Sequence, residues 1–199
     1  AEEPAVGLDI DAEDLCGWMQ GGDGRLFGGM PERGDVAVFR HPVSGRDFIK
    51  RIVGLPGDRV QMRDGRLHIN GEAVALAPDG TFEEVMRPQG PQGIRPRCAN
   101  APVGTGATCI KEKFEETFPN GETHSVLNIG RQASDDTPVY TVPDGHFFLM
   151  GDNRDNSSDS RVPQQIGGVG MVPYADLIGR ADRVMFSSAG RSMPFFWAW

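Results

Sequence analysis

Lysine is scarce in this chain: of its 20 basic residues only Lys50, Lys111 and Lys113 are lysines, the rest arginines. Basic excess is missing too. The formal net charge is -8, which argues against nucleic acid as the main partner, because phosphate binding needs a basic face. No stretch stays apolar for the roughly 18 to 20 residues that a membrane-spanning helix requires. No secretory leader pattern is present, so the chain as given is soluble or cut from something longer. Cysteine is limited to Cys16, Cys98 and Cys109. No histidine or further cysteine stands at zinc-like spacing, so neither a metal site nor a cofactor is expected. The four histidines, His41, His68, His124 and His146, read most simply as surface or strand residues.

Long helical periodicity is lacking as well. The chain has 27 glycines and 15 prolines, a composition that favours a turn-rich β protein. Short apolar runs between Gly, Pro and Asp turns read as strands: Asp35 to Phe39, Phe48 to Val53, Arg66 to Asn70, Pro138 to Val142, His146 to Met150 and Leu177 to Phe186. Asp64-Gly65 marks a hairpin, and Asn70-Gly71 and Asn120-Gly121 mark further turns. Residues 1–30 form an irregular, acidic, Gly-rich start. Residues 31–76 and 131–199 carry the strand signals of a core. Residues 77–130, rich in Pro, Gly, Glu and Thr, read as an inserted smaller subdomain.

Cys98 and Cys109 lie close together in that middle block. A disulfide there would contribute roughly 3 kcal/mol and imply an oxidising compartment. Cys16 would be left over. The C-terminal Phe195-Phe196-Trp197-Ala198-Trp199 is either a last strand on the core or an interfacial anchor, where Trp is favoured at the edge of a bilayer.

Two features carry chemistry. Gly151 to Arg161 is eleven residues without one apolar side chain, delivered by the apolar run His146 to Met150. Two arginines among three aspartates suggest an internally paired network that holds one geometry beside a pocket. Lys50 stands inside Phe48-Ile49-Lys50-Arg51-Ile52-Val53, and alternation puts it on the face of Phe48 and Ile52. Desolvation there would lower its pKa and let a neutral amine act as general base toward a serine. The competing reading is an edge-strand lysine reaching to water.

Three ordered motifs resemble the type I signal peptidases: Arg33-Gly34-Asp35-Val36 to Phe39, Ile49 to Asp58 and Gly151 to Arg161. The resemblance implies a mostly β fold of antiparallel sheets forming a catalytic core, with an inserted smaller β subdomain. It implies a membrane-anchored serine protease on the periplasmic face of the bacterial inner membrane, removing signal peptides from exported preproteins. Lys50 falls on the family's general base and Ser157 on the serine that orients it. Asp159 and Arg161 fall on a supporting ion pair. The family's nucleophile lies in a Ser-Met-x-Pro segment upstream of the Arg-Gly-Asp motif, and no such segment stands in this chain. Ser44 lies in a turn, Ser192-Met193-Pro194 sits at the wrong end, and Ala1 occupies the place where Ala1-Glu2-Glu3-Pro4 can be laid over the motif. The nucleophile is thus unassigned, and the chain by itself is expected not to cleave. Either the serine lies on a segment outside the chain, or the protein is an inactive relative that acts as a peptide-binding or scaffolding module. Strand alternation offers Val36, Phe39 and Ile52 as lining for the substrate pocket.

Overall fold

A computed structural model describes residues 30–89 and 93–181. Ala1, Cys16, Ser192, residues 182–186 and the aromatic C-terminus lie outside them. The described chain is mostly β, built from antiparallel sheets. Its strands are β1 (Val36–Arg40), β2 (Asp47–Gly54), β3 (Arg59–Arg63), β4 (Arg66–Ile69), β5 (Glu72–Ala73), β6 (Ala75–Val85), β7 (Thr108–Thr117), β8 (Thr123–Asn128), β9 (Tyr140–Thr141), β10 (His146–Met150), β11 (Val172–Pro173) and β12 (Leu177–Arg180). They form a five-stranded sheet in the order β11-β10-β2-β1-β12, a four-stranded sheet β5-β4-β3-β9 and a three-stranded sheet β6-β7-β8.

The turn residues act where the sequence places them. Asp64 and Gly65 both take positive φ, 48° and 73°, as the two-residue turn joining β3 to β4 requires. Asn70 and Gly71 repeat this between β4 and β5, at 56° and 90°.

Strand β10 explains the core. Phe147, Phe148, Leu149 and Met150 are all buried, because the strand has sheet neighbours on both sides and packed layers on both faces. Phe148 and Met150 face one cluster with Val53, Val60, Met62, Leu67 and Phe118. Phe147 and Leu149 face the other, with Ala37, Phe39, Ile52 and Leu177. Gly54 lies where the layers touch. A methyl group on it would come 2.7 Å from Val60 and 2.9 Å from Phe148, so the strand needs glycine there.

Several expectations are corrected. Lys50 is not on an edge strand: β2 is the central strand of its sheet. Phe39 and Ile52 are fully buried in the core and cannot line a surface groove, whereas Val36 is half-buried. His41 is neither on the surface nor in a strand. It is 4% exposed just past β1, with Nε2 3.0 Å from the Gly168 carbonyl and its ring 4.8 Å from that of Phe48. Of Pro138 to Val142, only Tyr140–Thr141 pair as a strand.

Candidate functional site

The three motifs converge on one end of β2. Arg33 donates to the Asp58 carboxylate at 2.8 Å and to the Val53 carbonyl. Asp58 also accepts from Leu55 N–H and from the Asn70 amide, closing the Gly-Asp turn after β2. Burial pushes the Asp58 carboxyl up, but those donors and the Arg33 charge hold it below its usual value. Gly34 N–H donates to the Ile52 carbonyl at 2.9 Å, and Ile52 N–H to the Asp35 carbonyl at 2.8 Å. Arg51 then links the first two motifs to the third. Its guanidinium grips Asp152 through two bonds of 2.8 and 2.7 Å and donates to the Gly34 carbonyl at 2.7 Å.

Strand register delivers Lys50 to the polar loop. Met150 pairs with Arg51 across β10 and β2, so Gly151 and Lys50 stand opposite each other one step further. On its other side, Lys50 pairs with Ala37. A methyl group on Gly151 would meet Ser157 Oγ at 2.2 Å and Lys50 Nζ at 3.6 Å. The lysine amine and the serine hydroxyl therefore flank a single backbone position that only glycine can fill. Ser157 Oγ is buried and has no hydrogen-bond partner among the described residues.

Behind Gly151 lies a dense brace. Asp159 is fully buried and takes two bonds of 2.8 Å from Arg161. Its second oxygen also accepts the Gly151 N–H at 3.1 Å. Arg161 donates onward to the Arg154 carbonyl, and its own carbonyl accepts from the Tyr140 hydroxyl. Ser160 is fixed to β10, its hydroxyl accepting from Leu149 N–H at 2.9 Å.

The loop is not wholly self-paired, contrary to the expectation from its composition. Among the described residues, its internal ion pair is that of Asp159 with Arg161. Asp152 pairs outward with Arg51. Asp155 accepts from Ile129 N–H at 2.8 Å. Arg154 reaches Glu116 on β7 through bonds of 2.9 and 2.5 Å, and Glu116 is 1% exposed. Sequence reasoning missed Glu116 because it sits in a charged run that reads as a solvated strand face. Burial alone would raise its carboxyl. The Arg154 guanidinium, with His124 Nε2 3.3 Å away, more than offsets this and holds it at about 2. In Asp155 the balance goes the other way, and burial pushes its carboxyl up.

Residues 25–186 match the family described as signal peptidase, peptidase S26. The chain belongs to this family. It is similar to signal peptidase I of Rickettsia typhi and of Rickettsia prowazekii, 37% identical to each over 174 residues, which cover 83% of this chain and 56% of the relative. The chain thus spans about half the length of the curated relatives it matches, 56%. A solved signal peptidase I from Enterococcus faecalis V583 aligns at 25% identity with a TM-score of 0.40, covering 77% of this chain and 98% of that one. No described helix is long and apolar enough to cross a membrane, a statement that leaves strands aside. Ser44 is an exposed turn residue after His41, its hydroxyl accepting from the backbone N–H of Arg46 at 3.5 Å.

Proposed function

We propose that this chain carries the catalytic core of a type I signal peptidase, cutting signal peptides from exported preproteins with Lys50 as general base. The observation that supports this is that Lys50 Nζ and Ser157 Oγ both lie within 4 Å of the side-chain position that Gly151 leaves open, in a member of this family. In this reading the nucleophilic serine comes from a segment outside the chain, which agrees with the greater length of the relatives. Neutral Lys50 takes the hydroxyl proton as the serine oxygen attacks the scissile carbonyl. It returns that proton to the leaving amine, and the acyl-enzyme is then hydrolysed by a water that Lys50 deprotonates. Ser157 orients the amine, and Asp159 with Arg161 holds Gly151 and Ser157 in place. The core comprises residues 31–76 and 131–199, with 77–130 as an inserted subdomain. The setting is the periplasmic face of the inner membrane, with the membrane surface as a partner, and an oxidising compartment suits the Cys98–Cys109 disulfide.

Preprotein cleavage by the natural full-length protein tests the reading. Lys50→Ala should cost at least about 100-fold in rate, the contribution of a general base. Cleavage that survives this change removes Lys50 from the mechanism. Titration of the Lys50 side chain by NMR should give a pKa below the ordinary value of about 10.4.

A further inference from the structure

We propose that Glu116, on the middle strand of the small β6-β7-β8 sheet, is a positioning residue for the Lys50–Ser157 arrangement. The inference rests on the reading of Lys50 as general base.

Glu116 belongs to none of the three motifs and lies 38 residues from Arg154 in sequence. It nevertheless forms a two-pronged, buried ion pair with the centre of the polar loop. His124 Nε2 lies 3.3 Å from the same carboxylate, and the imidazole stacks on Phe118 with ring centres 4.7 Å apart. As a stabilising device such a pair is poor, because taking two charges out of water costs about as much as their attraction returns. What it does supply is a fixed geometry.

That geometry runs without a break to the reacting groups. Glu116 fixes the Arg154 guanidinium, and the Arg154 carbonyl accepts from Arg161 at 2.5 Å. Arg161 holds both oxygens of Asp159, and Asp159 holds the Gly151 N–H. A methyl group on Gly151 would lie 2.2 Å from Ser157 Oγ and 3.6 Å from Lys50 Nζ, so the position of Gly151 sets the space beside both groups. Every side chain in this relay is nearly buried: Glu116 1%, Arg154 7%, Asp159 0% and Arg161 7% exposed. Three more bonds come to the loop from residues 97–129. Leu127 N–H donates to the Asp152 carbonyl at 2.8 Å, Ile129 N–H to the Asp155 carboxylate at 2.8 Å, and Arg97 to the Asp155 carbonyl at 2.7 Å. The small sheet and the segments that flank it therefore grip the loop at its start and middle, while Asp159 and Arg161 grip its end.

Two variants of the full-length protein test this. Glu116→Gln keeps the shape and removes the charge. The paired change Glu116→Leu with Arg154→Met replaces the ion pair by apolar groups and should leave thermal stability equal or higher. Both should lower kcat about ten- to a hundredfold with KM little changed, since a misplacement of about 1 Å near the chemistry is enough for that loss. Both should also move the Lys50 titration, read by NMR, away from its value in the unaltered protein. A folded paired variant with unchanged kcat and an unchanged Lys50 titration would overturn the proposal. If Lys50→Ala cleaves normally, the assignment of the base fails instead, and the two failures are distinct.

Discussion

At the scale of single residues, Gly151 is the most constrained position. Its backbone N–H is committed to Asp159, and its missing side chain leaves the space that Ser157 Oγ and Lys50 Nζ share. Gly151→Ala places a methyl group 2.2 Å from Ser157 Oγ and 2.6 Å from Ser157 Cβ, distances at which atoms cannot coexist. Relief must come from movement of Ser157, because β10 on one side and Asp159 on the other fix the backbone. Overpacking of this kind costs roughly 1 to 3 kcal/mol. The expected outcome is a folded protein with lower thermal stability and cleavage reduced at least as far as in Ser157→Ala. Unimpaired cleavage by Gly151→Ala would show that the lysine does not depend on the serine beside it.

At the scale of elements, the Cys98–Cys109 disulfide pins the segment before β7 to β7 itself. It buries both sulfurs beside Met86 and sets Arg97 against the Asp155 carbonyl. Replacing both cysteines by serine should lower stability by about 3 kcal/mol, the chain-entropy value for a loop of this length. Urea unfolding measures it. Cleavage below the melting range should persist, because Glu116 grips the loop independently of Arg97. Loss of cleavage in a folded variant would make the Arg97 contact the essential one. The disulfide was open to sequence reading, since two nearby cysteines in a loop-rich block suggest one. Strands β1, β2 and β4 were legible as short apolar runs between Gly, Pro, Asp and Asn turns, and β10 as an unbroken apolar run; so was the strand that carries Lys50. Strand β6 was not. Most of Ala75–Val85 is exposed, it pairs only with β7, and Pro78 is tolerated because an edge strand needs no donor there. Glu116 was illegible for a related reason: β7 buries ionic groups on both faces, Lys111 against Glu84 at 2.6 Å and, five residues on and so on the opposite face, Glu116 against Arg154. Alternation of hydrophobicity cannot flag a face buried by charge pairing.

At the scale of the whole molecule, these buried carboxylates set how the fold responds to acid. Glu116 has a folded-state value of about 2 against an ordinary 4.5. A carboxyl depressed by folding stabilises the native state fully above its unfolded value, and that stability drains away as pH falls toward the folded value. For Glu116 the window runs from about 4.5 down to about 2 and is worth about 3 kcal/mol. Asp58, also depressed, acts in the same direction. Asp155, raised by burial, acts in the opposite one and favours the native state as it protonates. The net expectation is a fold whose unfolding free energy holds between pH 7 and 5 and drops by a few kcal/mol between pH 4.5 and 2.5. Over that range the chain's 20 lysines and arginines also begin to repel without their acidic counterparts. The paired variant Glu116→Leu with Arg154→Met separates the two contributions. It lacks the titrating pair but keeps nearly all of the general charge, so its acid limb should be shallower by about the Glu116 share. If unfolding curves of the two proteins fall in parallel from pH 5 to 2.5, general charge repulsion drives acid unfolding, and the Glu116–Arg154 pair holds geometry without holding the fold.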